Sequence, residues 1–405
     1  MATSLVPERA GPLAGIRILD MATVLAAPFA ATLCADLGAE VIKLELPDGT
    51  DPLRSLAPVK DGLPIYWKVT NRGKKGITLD VRKPQGRELF LRLVAGVDVL
   101  VENFRTGTLE RWGLDADTLR AANPKLVVLR VTGFGQTGPR AAKPGFARIF
   151  EAMSGLTNLT GEADGSPMHM NFPIGDTVAG LFGAFAIAAE MVRIRSDPQA
   201  MGVQIDLSAT EALMRMLEPL AAERELLGTV RSRSGNLASY TAPSNMYRCS
   251  DGQHFSLVAS SDATFRRLCE AIGRAELAQD ARFRTNPARV ANSAELDGLL
   301  QGWFGARTYP EVAAALDTAD LPYSKTYTID DILADAHFRA RRALIRLPDP
   351  DFGSLPAPCV VPRVAGREMP APRSGPDLGE HNDEVYGGLG IDEAQRVVLR
   401  QAGVI

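Results

Sequence analysis

The sequence predicts an α/β protein with a mostly parallel sheet, followed by a smaller α+β segment. Three observations carry this. The first 135 residues alternate short β-branched runs with helical periods, and the 405-residue length exceeds what one core usually holds. A polar stretch with neither period, TVRSRSGNLASYTAPS, separates two differently patterned regions.

Taken in order, GIRILDMA reads as a strand, APFAATLCADLGA as a helix, EVIKLE and GITLDV as strands, PQGRELFLRLVAG as a helix, and DVLVEN and LVVLRVTGFG as strands. Strand, helix, strand in that order needs right-handed crossovers, which lay the strands parallel and put helices on the faces of the sheet. This is a Rossmann-like layout, but MATVLAAPFAATL stands after the first strand, where a G-x-G-x-x-G dinucleotide fingerprint would be. From Pro173 to Leu227 the pattern is helical, interrupted by GVQIDLS as one more strand before the helix ATEALMRMLEPLAAERELLG. In the second region HFSLVAS is a strand, and DATFRRLCEAIG, SAELDGLLQGWFG and YPEVAAALDTA are helices. The last sixty residues are rich in proline and glycine and close on the short helix DEAQRVVLRQAG. The expected domains are 1–215 for the first part of a large Rossmann-like domain, 216–240 for a linker and mobile loop, 241–335 for a small α+β domain, and 336–405 for a return to the large domain.

Hydrophobic residues at 45% and charged residues at 23% are those of an ordinary globular protein, and a net charge of −3 offers no basic field for nucleic acid. An anionic ligand must therefore meet a local cluster. Cys34, Cys249, Cys269 and Cys359 are far apart with no C-x-x-C pair, so buried free thiols are expected rather than zinc or disulfides. MATSLVPERAGPLAGIRIL lacks the layout of a secretory leader, which argues for the cytoplasm. The uncharged run Thr177–Ala189 is shorter than the ~20 residues of a membrane span and is closed by Glu190, Arg193 and Arg195, so it reads as a buried core helix.

None of the four histidines, His169, His254, His337 and His381, is spaced as a metal ligand, and no metal site is expected. His169 stands out because it precedes Asp176 by seven residues. Asp176 itself follows a glycine and opens the uncharged helix, the position of an N-cap, and a carboxylate there also suits a nucleophile. The residues alone leave both readings open. Two basic clusters could hold phosphate: NRGKKG, with Asn71, Arg72, Lys74 and Lys75, and ENFRTGTLERWG, which follows a strand and carries Arg105 and Arg111.

PLAGIRILDMATVLAAPFAATLCADLGAEVIKLE, YWKVTNRGKKGITLDV, DVLVENFRTGTLERWGL, VTGFGQTGP, IGDTVAG and LGEHNDEVYGGLGI occur in that order over nearly the whole chain. In this the sequence resembles the class III CoA-transferases, the CaiB/BaiF family. The resemblance implies that Asp176 is the nucleophile, forming aspartyl anhydride and aspartyl-CoA thioester intermediates. It implies that Val24, Leu25, Ala26, Asn71, Arg72, Lys74, Lys75, Asn103, Phe104, Arg105 and Arg111 line the coenzyme A site. It also implies a Rossmann-like large domain made from both chain ends, a small inserted domain, and two chains threaded as an interlocked homodimer. No permanently bound cofactor is implied, since CoA thioesters are the substrates. A helix N-terminus at Asp176 would keep the carboxylate ionised.

The acyl-CoA racemases of the same fold carry a His-Asp pair where this chain has Phe146 and Ala147, so α-proton exchange lacks its base. Leu25 and the single Gly235 of RSRSGN depart from the formyl-CoA transferase pattern, which favours a longer acyl group. Arg148, His169 and Asn171 are candidate anchors for a second carboxylate. The expectation is CoA transfer from succinyl-CoA to a dicarboxylic acid, with no nucleic acid or membrane partner. The competing readings are a racemase, a complex with a paralogous subunit, and an inactive CoA-binding subunit.

Overall fold

The computed structural model describes residues 11–49, 51–366, 369 and 371–405. Residues 1–10 of the stretch read for targeting lie outside the described residues. The chain divides into two compact units. One contains Met1–Thr157, His169–Leu227 and Arg342–Ile405, and the other Asn158–Met168 and Gly228–Arg341.

The first unit is built on six parallel strands: β1 Arg17–Asp20, β2 Glu40–Glu45, β3 Lys74–Thr78, β4 Val99–Glu102, β5 Val127–Thr132 and β6 Gln204–Ser208. They lie in the order β3-β2-β1-β4-β5-β6, and every neighbouring pair is parallel. The register sets Ile18 beside Val41 and Val99, and Leu19 beside Ile42 and Leu100. Because side chains alternate along a strand, Ile18 and Leu19 enter different cores on opposite faces, and both are fully buried. That is why these strands read as continuous apolar runs.

One face is covered by three helices, α1 Ala26–Asp36, α5 Ile174–Ser196 and α6 Ala209–Arg215; α2 Ile65–Thr70 and α4 Ala147–Ser154 flank them, and α3 Pro84–Val94 covers the other face. The chain end returns to the second face. Asn382 Oδ1 accepts from the Thr78 amide at 2.9 Å, Tyr386 donates to Thr78 O at 2.6 Å, and the Asp80 amide donates to Val404 O at 2.7 Å. The helix expected over ATEALMRMLEPLAAERELLG is two, α6 and Leu220–Leu227, since Pro219 cannot continue a helix interior.

The helix α5 is long and apolar enough to cross a membrane by length and composition, yet it packs closely on α1. A Cβ at Gly180 would lie 2.7 Å from Ala26 O, and one at Gly183 3.0 Å from the Ala30 methyl. The expectation of a buried core helix holds on this flank only: Leu181, Phe185 and Val192 on α5 are exposed.

The second unit holds a three-stranded antiparallel sheet, ordered Tyr323–Lys325, His254–Val258 and Ser244–Arg248. Its core joins Tyr247, Phe255 and Phe304, with Phe255 and Phe304 edge to face at 5.0 Å. All four cysteines are free; Cys34, Cys249 and Cys269 are buried, and Cys359 is half-buried.

Candidate active site

The strand order reverses between β1 and β4, and in open parallel sheets a ligand crevice forms at the carboxyl ends flanking such a point. Here the segments leaving β1 and β4 are tied together. The Thr23 amide donates to Asn103 Oδ1 at 2.8 Å, and Asn103 Nδ2 donates to Thr23 O at 2.7 Å. Asp51 Oδ1 takes the Val24 amide at 3.1 Å and the Leu53 amide at 2.9 Å. Between these anchors Val24 has φ +64, a left-handed conformation that a β-branched residue seldom adopts. Such strain persists only where surrounding contacts over-determine it.

Beneath the turn lies a buried charge cluster. Lys74 Nζ donates to Asp20 Oδ2 and Pro28 O at 2.8 Å and to Asn71 Oδ1 at 2.9 Å. Lys43 Nζ lies 3.7 Å from Asp20 and 3.6 Å from Asp51, and also donates to Ala22 O. Two ammonium groups thus face two carboxylates. Burial brings Lys74 down to about 8, opposed by Asp20.

After β4, Glu102 Oε2 accepts the Phe104 amide at 2.7 Å while Oε1 takes Arg130 Nε at 2.7 Å, and Arg130 bridges on to Glu110 at 3.0 Å. Phe104 meets Trp112 edge to face at 5.0 Å. The segment 103–105 is therefore held from below, and Asn103, Phe104 and Arg105 line a cleft of about 210 Å³ together with Val24, Leu25, Ala26 and Asp176. Lys143 lines it too. Two cations thus border the cavity that contains the Asp176 carboxylate.

Asp176 is the third residue of α5 rather than its cap, because the helix starts two residues earlier with Pro173 at the cap position and no side-chain cap bond. The Gly175 amide is instead satisfied by Glu151 Oε1 of α4, at 3.1 Å. Burial, and then the charge of Glu151, push the Asp176 carboxyl up to about 7. Loss of solvent and a like charge thus oppose the helix N-terminus that is expected to keep this carboxylate ionised. The Tyr66 hydroxyl of α2 is buried and has no hydrogen-bond partner among the described residues; burial, and then the charge of Asp176, raise its pKa.

The other sequence-predicted residues are placed elsewhere. Arg72 pairs with Asp36 at 3.0 Å, and Lys75 with Glu40 at 2.6 Å and Glu384 at 2.7 Å. Arg72, Lys74 and Lys75 commit their charges to the fold, Asn71 accepts from Lys74 through Oδ1 only, and none of the four lines the Asp176 cleft. Arg111 donates to Thr108 Oγ1 at 2.8 Å on the surface. Arg148 and Asn171 are exposed. His169 Nδ1 lies 3.1 Å from Glu151 Oε2. Gly235 belongs to the second unit, with φ +59 and its Cβ position 3.0 Å from Glu162 Oε2.

Glu151, Tyr66 and Lys143 were not singled out by the sequence reading. Glu151 had a signal: it shares the buried side of α4 with Ala147 and Phe150, at i, i+4 and i, i+1 spacing, where a carboxylate is out of place. Among the described residues no group of His, Cys, Asp or Glu is arranged to hold a metal.

The model for CoA-transferase family III matches residues 13–382. The chain is 41% identical over 397 residues to a succinyl-CoA–D-citramalate CoA-transferase of Chloroflexus aurantiacus, covering 97% of this chain and 98% of that one. It is 36% identical over 400 residues to the beta subunit of a succinyl-CoA–L-malate CoA-transferase from the same organism, covering 97% and 98%. Among solved structures, a CaiB/BaiF family protein from Brucella suis superposes with a TM-score of 0.82 at 33% identity, covering 94% of this chain and 100% of that one.

Proposed function

This chain belongs to CoA-transferase family III and is an enzyme of that class, and from that premise we propose that it moves coenzyme A from succinyl-CoA to a dicarboxylic acid with Asp176 as nucleophile. The observation that carries the reading is the Asp176 carboxylate in a cleft bordered by Arg105 and Lys143. The relatives named above act with succinyl-CoA on D-citramalate and L-malate, both dicarboxylic acids, which supports the donor and the acceptor class.

An Asp176 oxygen attacks the thioester carbonyl, and the C–S bond breaks to give a mixed anhydride and CoA thiolate. The thiolate attacks the aspartyl carbonyl, releasing succinate and leaving an aspartyl-CoA thioester. The acceptor carboxylate attacks that thioester, forming a second anhydride and freeing the thiolate. Attack of the thiolate on the acceptor's acyl carbon then yields the new acyl-CoA and restores Asp176.

Arg105 and Lys143 would take the CoA phosphates, with Val24 to Ala26, Asn103 and Phe104 along the cofactor's path to Asp176. Arg148, which forms no ion pair among the described residues, and Asn171 are the groups proposed for the second carboxylate. The exposed apolar flank of α5 supports an interlocked homodimer, or a complex with a paralogous subunit, which would cover Leu181, Phe185 and Val192. A cytoplasmic location fits these substrates. Incubation with succinyl-CoA and a panel of mono- and dicarboxylates, with thioesters read by mass spectrometry, tests the assignment: dicarboxyl-CoA products support it, and exclusive use of monocarboxylates overturns it.

A further inference from the structure

The group that most affects Asp176 lies outside the residues to which a role in transfer has been given. Glu151 is 2 % exposed and divides its oxygens between two partners: Oε1 accepts the Gly175 amide, at the start of the helix that carries Asp176, and Oε2 meets His169 Nδ1. The contact between Nδ1 and Oε2, at 3.1 Å, is a hydrogen bond with one proton between the two atoms. The Cβ position of Gly175 lies 3.2 Å from Ala147 O and 3.4 Å from Glu151 Cγ, so α4 packs closely on the start of α5. Phe150, the neighbouring residue on α4, lines the same cleft as Asp176.

We propose that Glu151 is the positioning residue of the nucleophile: it fixes the first turn of α5 and sets its negative charge against the Asp176 carboxylate, with His169 as its second anchor. This rests on the reading of Asp176 as nucleophile. The charged and titratable groups around the pair are Tyr66 from α2, His169 from the segment before α5, and Arg105 and Lys143 along the cleft; α1 presents Ala26 and α6 presents Leu213. Neither carboxylate has an ion pair with Arg or Lys among the described residues. Two carboxylates in one poorly solvated site cannot both ionise freely, so the like charge makes Asp176 a stronger base, and a stronger nucleophile once its proton is gone. The arrangement exchanges some of the ionised fraction at neutral pH for reactivity.

The test is the pH dependence of hydroxylamine trapping at Asp176 during incubation with succinyl-CoA, comparing the wild-type protein with Glu151→Gln and His169→Arg. Gln keeps an acceptor for the Gly175 amide but not the charge; Arg at 169 keeps a donor for Glu151 and adds a fixed cation. The wild type should reach half-maximal trapping near pH 7, and both variants should reach it at least about one pH unit lower. A purely structural role would leave that midpoint in place while scaling the amplitude. Unchanged midpoints in both variants overturn the proposal, and the Arg variant decides it if the Gln variant does not fold. Trapping absent from Asp176 in every protein, with turnover intact, removes the nucleophile reading itself and this proposal with it.

Discussion

Asn103 and Thr23 close a two-point amide clasp across the switch point of the sheet, at 2.8 and 2.7 Å, joining the segments that leave β4 and β1. The clasp and Asp51 hold Val24 at its positive φ. Asn103→Ala removes both bonds and leaves the Thr23 amide and carbonyl without them. We expect kcat/KM to fall by about 10- to 100-fold, equivalent to ~1–3 kcal/mol, with the fold kept. Steady-state kinetics beside circular dichroism checks this; an unaltered kcat/KM would show that the turn holds its shape without the clasp.

The cations of the chain should separate into two classes. Arg105→Ala and Lys143→Ala should raise KM for CoA thioesters with little change in kcat, since they border the cleft and bind ground and transition states alike. Lys74→Ala should instead unfold the first unit more easily, by ~3–5 kcal/mol, because it strips a buried carboxylate, Asp20, of one of its two ammonium partners. Urea titration and kinetics on the three variants distinguish the classes. A stable Lys74→Ala protein with a raised KM would return that lysine to the binding site.

Asp176 should cost the protein stability at neutral pH. Its folded pKa is raised, to about 7, above the ordinary 3.8, so the folded state binds more protons between those values. Stability is therefore fully present below about pH 4 and declines as pH rises through about 7. Asp176→Asn should be more stable than wild type at pH 8, on the order of 4 kcal/mol, and equal to it at pH 4. Thermal melts at the two pH values measure this. A variant that is no more stable than wild type at pH 8 contradicts the raised pKa.

Gly180 should be intolerant of a side chain. A Cβ there meets Ala26 O at 2.7 Å and the Phe29 ring at 2.8 Å, so Gly180→Ala must push α5 away from α1. Overpacking of this kind costs about 1–3 kcal/mol, and because α1 begins at Ala26 beside the cleft, kcat should fall together with the melting temperature. An Ala variant with normal activity and melting would show that the helix pair has room to adjust.

Much of the fold was legible because doubly buried parallel strands are short β-branched runs. EVIKLE became β2, and DVLVEN contains β4, Val99–Glu102. The break before Leu220 is legible in Pro219, although the apolar period continues on either side of it. In the candidate site, VLAAP and ENFR meet because they follow adjacent strands, a relation that strand order gives directly. The lysines of NRGKKG were harder to judge. A strand gives successive residues opposite faces, and Lys74 faces Asp20 inside the sheet while Lys75 faces Glu40 at its edge. The protonation of Asp176 was not legible at all, since it is set by burial and by Glu151, which the chain brings near only through the packing of α4 against α5.

The most direct test of the central claim is peptide mapping after incubation with succinyl-CoA and hydroxylamine at pH 8, where Asp176 is largely ionised. The predicted result is a hydroxamate on Asp176 in the wild type, none in Asp176→Ala, and loss of CoA transfer by that variant while it stays folded. A hydroxamate confined to another residue, or a folded Asp176→Ala protein that still transfers CoA at half the wild-type rate or more, would contradict it.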